Sequence, residues 1–217
     1  MPTLTLTEKA ERIYSRHENI VDGVIHVAGM LFAVNAAAWL LLHVGVSAEA
    51  SVTVYCLGLL AMIFASGIYN MVPETARPKQ LLRRIDHAAI FIMIAGTYTP
   101  FAVNRVGAPY GTAVLVAIWI CASLGVALKV LFPRRFETAA LALYLGMGWM
   151  VVAVLRPLAA SVAAVDFWLL IGGGLVYSAG VAFYVIERIP FHKAIWHAFV
   201  LVAVVLHFSA VAMEFAT

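Results

Sequence analysis

Seven stretches of this chain contain no Asp, Glu, Lys or Arg, and together they occupy most of its length. They run over 23–48, 50–73, 87–104, 106–128, 138–155, 167–186 and 194–213. A hydrocarbon core of roughly 30 Å is crossed by about 20 apolar residues in a helix, so each stretch is long enough, or nearly so, to span it. In lipid the backbone must satisfy its own hydrogen bonds, which leaves helices or a closed barrel. Runs of this length without period-2 alternation select helices. The expectation is an all-α integral membrane protein, a seven-transmembrane helical bundle. Composition agrees, with 64% hydrophobic and 12% charged residues in 217, against about 25% charged in soluble domains.

The segment before the first stretch carries Glu8, Lys9, Glu11, Arg12, Arg16, Glu18 and Asp22 and has no apolar core, so it does not read as a signal peptide. Residues 1–21 are expected to form a cytoplasmic lead-in and 22–217 the seven-span domain. Orientation follows from the Lys/Arg bias of the loops. Lys9, Arg12 and Arg16, then Arg77, Lys79, Arg83 and Arg84, then Lys129, Arg134 and Arg135, then Arg188 and Lys193 fall on one side. Only Arg105 and Arg156 fall on the other. This predicts a cytoplasmic N-terminus and an external C-terminus. The formal charge of +3 then reflects membrane topology, and no nucleic-acid partner is implied. Cys56 and Cys121 lie inside spans without metal or redox spacing and read as reduced packing residues.

Polar residues in a membrane are costly and tend to face the bundle interior. Here they gather where spans meet the lysine- and arginine-rich side. Span 1 enters with Asp22 and His26, span 2 ends with Ser66 and Asn70, span 3 begins with Asp86 and His87, and span 7 begins with His192, Lys193 and His197. Three of these pairs, Asp22/His26, Ser66/Asn70 and Lys193/His197, are spaced i,i+4, which places both members on one helix face. Four helix ends are therefore expected to share a pocket. The plainer reading is that helix ends are polar anyway and that Asp86 caps span 3. His207, deeper in span 7, reads as a hydrogen-bonded core histidine, and the glycines at 172–174 and 180 as points of close helix approach.

The stretches "LLRRIDHAAIFIMIAGTYTPF" at 81–101, "ALYLGMGW" at 142–149 and "AIWHAFVLVAVVLHF" at 194–208 resemble the hemolysin III family, related to the progestin and adipoQ receptor family and, more widely, to alkaline ceramidases. The resemblance covers nearly the whole chain. It implies seven spans with a cytoplasmic N-terminus, residence in a bacterial plasma membrane, contact with membrane lipids, and a zinc ion held near the cytoplasmic leaflet for hydrolysis of a lipid amide. By the same resemblance Ser66, Asp86 and His197 take the catalytic positions, with His197 also a metal ligand, and Glu18, Asp22 and His26 match a Glu–Asn–His pattern with Asp22 in place of Asn. Two expected zinc histidines are absent: Asn70 and Lys193 stand in their positions. An amide and an ammonium group are unsuited to zinc, so the site is expected to be metal-degenerate, with Lys193 replacing the ion and pairing with Asp86. Asp22, His26, Asn70, His87 and Lys193 would line the pocket. The functional expectations are a membrane hydrolase of lipid amides or, alternatively, a non-catalytic sensor or regulator of membrane state. An ion-conducting or cytolytic role is the third.

Overall fold

The computed structural model describes residues 14–132 and 134–217, so the first 13 residues of the expected lead-in lie outside the described residues. Beyond them the lead-in is already helical. Ser15 caps the first helix: its Oγ accepts from the Glu18 backbone N–H at 3.2 Å, while Glu18 Oε2 accepts from the Ser15 N–H at 2.9 Å. This reciprocal capping box starts the helix at Arg16, seven residues before the charge-free stretch begins.

The seven spans are α1 (Arg16–His43), α2 (Glu49–Met71), α3 (Lys79–Val106), α4 (Tyr110–Leu131), α5 (Glu137–Ser161), α6 (Ala164–Val185) and α7 (His192–Phe215). Each is long and apolar enough to cross a membrane. Large apolar side chains such as Leu31, Leu57, Leu124, Trp168 and Leu175 are exposed on the outside of the bundle. In water such a surface would drive association, and in lipid it is the solvent-matched face. The protein is a multi-pass, all-helical membrane protein.

Two spans depart from regular helix. Pro100 lies inside α3, where it removes one backbone donor. The helix continues past it as a wider turn over Ala102–Val106, and Asn104 Nδ2 donates to the Pro100 carbonyl at 2.8 Å. In α5 the turn tightens over Trp149–Val154. There Tyr98 of α3 enters the broken ladder: its hydroxyl donates to the Gly148 carbonyl and accepts from the Val151 N–H, both at 2.8 Å. An inserted side chain is a recognised cause of such an interruption.

Packing runs from neighbour to neighbour, and α7 returns to meet α1. One buried cluster, with Leu40, Val52, Tyr55, Leu59, Val204 and Val211, joins α1, α2 and α7. A second, around Phe91, Ile118, Ala122 and Met147, joins α3, α4 and α5. At the end away from the polar residues, the Thr217 N–H donates to the His43 carbonyl at 2.7 Å and ties the C-terminus to the end of α1. His207 donates from Nε2 to the Leu170 carbonyl at 3.1 Å in the space left by Gly173, where a Cβ would come within 2.4 Å of the His207 Nε2.

Glycines set the α2–α3 approach that brings Ser66 towards Asp86. A Cβ on Gly96 would lie 3.3 Å from the Val54 carbonyl oxygen, and one on Gly58 would lie 3.3 Å from the Met93 Cα. These neighbours are backbone atoms, which cannot swing aside. Gly96→Leu is therefore expected to lower unfolding stability in detergent by about 1–3 kcal/mol. Gly172→Ala, where an added Cβ meets nothing within 4 Å, should stay within about 0.5 kcal/mol of the parent. Denaturant titration followed by circular dichroism reads both.

Candidate functional site at the polar end of α1 and α7

The starts of α1 and α7 are joined before any functional side chain is reached. Glu18 Oε1 accepts from the Phe191 backbone N–H at 2.9 Å. Phe191 precedes α7 with a left-handed φ of 58°, a conformation a bulky residue seldom adopts. The bond brings the first turns of the two helices side by side. One turn beyond Glu18 is Asp22, and one turn beyond that is His26, both buried.

Asp22 is the centre of the cluster. His197 Nδ1 lies 2.5 Å from Asp22 Oδ1, and Lys193 Nζ lies 3.5 Å from Asp22 Oδ2. His26 Nε2 is 3.7 Å from that same Oδ2, and the His26 and His197 rings sit 4.3 Å apart between centroids. Because the carboxylate can only accept, Nδ1 of His197 carries the proton of their bond. His26 Nε2 is buried and has no hydrogen-bond partner among the described residues. Buried polar atoms are rarely left so.

Asp86, at the head of α3, is also buried and lies within electrostatic reach of His197, Ser66, Lys193 and Arg83. Ser66 and Asn70 satisfy one another on α2: Asn70 Nδ2 donates to the Ser66 carbonyl at 2.9 Å and to its hydroxyl at 3.3 Å. The structure thus brings Asp22, His26, Lys193 and His197 into direct contact, with Asp86 and Ser66 on the α2–α3 side. Lys193 pairs with Asp22, whereas the sequence pointed to Asp86. The reason is adjacency, since α7 packs directly on α1.

His87, expected in the pocket, is placed elsewhere, and His192, one residue before Lys193, also points away from it. His87 follows Asp86 by one residue, about 100° around the helix, and faces α5, with Nδ1 3.9 Å from Glu137 Oε2. His192 turns towards Tyr14, whose hydroxyl is 3.2 Å from its Nε2, and towards the Phe183 carbonyl, 3.1 Å from its Nδ1. Lys79 was counted in the sequence only as a loop charge. It is buried, and its Nζ donates to the Tyr69 and Val72 carbonyls at 2.7 Å each, closing the C-terminal end of α2. Nothing in its spacing signals that role.

One donor atom from each of Asp22, His26 and His197 lies within 4.8 Å of the other two. Two nitrogens and a carboxylate oxygen form the donor set of many catalytic zinc sites, which use three protein ligands and leave a fourth position open. Ligand atoms about 2.0–2.1 Å from one ion lie about 3.3 Å apart in tetrahedral geometry. The 3.7 Å between His26 Nε2 and Asp22 Oδ2 is close to that spacing. The 2.5 Å bond to His197 Nδ1 is too short for it and instead matches a carboxylate orienting a ligand histidine. The orphaned His26 nitrogen and this donor set fit a divalent ion without needing Asn70 or Lys193.

The sequence profile of the family described as "Haemolysin-III related" matches residues 14–208. The chain is 35% identical over 193 residues to "Hemolysin-3 homolog" of Bacillus subtilis (strain 168), covering 87% of this chain and 90% of the relative. It is 34% identical over 201 residues to "Hemolysin-3" of Bacillus cereus, covering 90% and 91%. A more distant similarity, 29% over 166 residues, reaches "Monocyte to macrophage differentiation factor" of Homo sapiens, covering 73% of this chain and 67% of the relative. Its relatives in Bacillus indicate the plasma membrane as the location of this multi-pass protein. With a family profile spanning nearly all of the described residues and two relatives above 30% identity along most of their length, the chain belongs to the haemolysin-III related family.

Proposed function

We propose that the polar end of α1 and α7 is a hydrolase-type centre for amide or ester bonds of membrane lipids, with a divalent metal held by His26, His197 and Asp22. The observation that carries this reading is the convergence of these three donors around a buried His26 nitrogen that has no other partner among the described residues. In this arrangement the seat lies on α1 and α7, while α2 contributes only the Ser66–Asn70 pair.

A metal bound there would supply Lewis acidity towards a water or a carbonyl oxygen. The remaining work falls to the chain's own groups. Asp22 holds His197 by its Nδ1–H and fixes the direction of Nε2. Asp86, within electrostatic reach of His197 and Lys193, would accept a proton from an attacking water. Lys193 and the Ser66 hydroxyl, both within reach of Asp86, can donate to the oxygen on which negative charge develops. The 23% exposure of the Lys193 side chain and its position 5.2 Å over the Tyr14 ring let it swing between Asp22 and a substrate oxygen.

Elemental analysis of the protein purified without chelator tests the proposal. About one equivalent of divalent metal is expected, lost from His26→Ala and from His197→Ala and kept by Asn70→Ala. A metal-free parent, or metal that survives both histidine changes, sinks it. Acid should strip the ion, because protonated imidazoles cannot ligate.

A second reading is favoured by the Lys193–Asp22 pair: a metal-free ionic lock between α1 and α7 in a non-catalytic regulator of membrane state. The two differ in how they value Lys193. In the metal reading Asp22 matters far more than Lys193, so Asp22→Ala should destabilise the apoprotein by about 3 kcal/mol by leaving the His197 Nδ1–H donor without its acceptor. Lys193→Ala should cost about 1 kcal/mol or less, as expected for a loose, partly exposed pair. Comparable losses in denaturant titrations of both variants would favour the lock.

A further inference from the structure

Asn35 is an amide exposed on the outside of a membrane-spanning helix. The charged residues nearest to it along the chain are Asp22 before it and Glu49 after it. At 1.5 Å per residue it stands about 12 Å from the His43 end of α1 and about 20 Å from Asp22, well inside a hydrocarbon core of roughly 30 Å. One Nδ2 hydrogen goes to the Leu31 carbonyl at 2.7 Å. The second hydrogen and the Oδ1 acceptor have no partner among the described residues. Ser123 and Ser209, also exposed on spans, differ from it. Each returns its only hydroxyl hydrogen to the carbonyl one turn back, at 2.8 Å and 2.9 Å. An amide has both a donor and an acceptor left over, and lipid tails answer neither, so its exposure costs free energy.

Beside the amide lies a hollow of about 390 Å³, lined by Leu31, Phe32, Asn35, Ala36 and Trp39 of α1 and by Phe208 of α7. Leu31 and Trp39, one turn to either side of Asn35, are 62% and 46% exposed, so this chain leaves the row on either side of the amide largely uncovered. We infer that this face of α1 is where two copies of the chain meet, about a two-fold axis, through reciprocal Asn35–Asn35 hydrogen bonds. Self-complementarity selects a second copy over other occupants. Each Oδ1 accepts the free Nδ2–H of the other amide, which satisfies both groups on both copies. Copies of one chain also insert in one orientation. A two-fold axis along the membrane normal therefore brings the two Asn35 side chains to the same depth, and the contact is isologous. A phospholipid carries its polar groups at the interface and offers none at this depth. A single asparagine on an apolar helix face is a known device for fixing register and copy number. The same symmetry lays Leu31 and Trp39 of each copy along the apolar hollow of the other. The surface shares no residue with the proposed metal seat, so either can fail alone.

Energy transfer between donor- and acceptor-labelled full chains in phosphatidylcholine vesicles, followed as lipid dilutes the protein, tests the inference. The parent should follow a two-body isotherm. Asn35→Leu should weaken association about tenfold, as expected of two interhelical hydrogen bonds in a membrane. It removes an amide from lipid, so helical content by circular dichroism should be unchanged. Asn35→Gln, which keeps both amide groups, should stay near the parent. Ser123→Ala, a polar lipid-facing position on α4, should match the parent. Transfer in the parent no greater than chance proximity overturns the inference. So does parent-level association of Asn35→Leu, or equal weakening by Ser123→Ala. A lipid retained by the monomer in native mass spectrometry and released by Asn35→Leu assigns the face to that lipid and overturns it as well.

Discussion

The rest of this end of the bundle depends on a carboxylate that has been taken out of water. An ionised Asp22 inside a helical bundle is tolerable only if its two oxygens are met by donors or cations, and among the described residues its partners other than His26 come from α7. The helices at the two ends of the chain are thereby tied together, and the Glu18 bond to the Phe191 N–H one turn earlier sets their register. Apolar contact alone would leave α7 free to slide or rotate on α1, because lipid tails solvate Leu and Val as well as a neighbouring helix does. A hydrogen bond from an imidazole to a carboxylate permits only one rotation and one depth.

Much of this architecture is legible in the sequence, and the boundary of what is legible has a physical cause. The absence of charge over seven stretches reports bilayer depth, so it predicts the spans. It does not report where helices end. Those ends are set by hydrogen bonds: the Ser15–Glu18 capping box extends α1 back to Arg16, and α3 begins at Lys79 and carries its arginines on a continuous helix. The i,i+4 spacing of Asp22 with His26 and of Lys193 with His197 is legible too, since it follows from 3.6 residues per turn. Which pair faces which is a property of helix rotation and neighbour order, and a single sequence does not encode these in any local pattern. Hence Lys193 meets Asp22 where Asp86 was expected, and His26, read as a pocket-lining residue, becomes the nitrogen that most needs a ligand. Lys79 and Lys129 were invisible for the same reason. A buried lysine and a loop lysine are the same letter until the partner carbonyl or carboxylate is placed.

Asp86 and His87 show how one step along a helix divides two chemistries. Adjacent residues point about 100° apart, so Asp86 faces α2 and α7 while His87 faces Glu137 on α5. On one side of α3 two acidic groups, Asp22 and Asp86, outnumber the single ammonium of Lys193, an excess that favours a cation. On the other, Arg83 and Lys129 both donate to one glutamate, Glu137. Between them lies the helix core, with Phe91 and Ala95 wholly buried, and Arg83 is within electrostatic reach of Asp86 across it.

The acidic excess around Asp22 bears on how Lys193 would coexist with a metal seat. Asp22 Oδ2 has two claimants, the ammonium group at 3.5 Å and the acceptor geometry it shares with His26 at 3.7 Å. Neither distance is that of a made hydrogen bond, and the oxygen is left poised between them. A divalent ion would bring twice the charge of the ammonium to the same point and would also take the lone pair of the His26 nitrogen. With an ion bound there, Lys193 would be free to turn towards solvent and towards Asp86, where its charge would serve a substrate oxygen. Without it, Lys193 keeps Asp22 from being buried alone. In the proposed metal reading a lysine at this position is compatible with the ion: it would pair with the carboxylate in the ion's absence and would be displaced on binding.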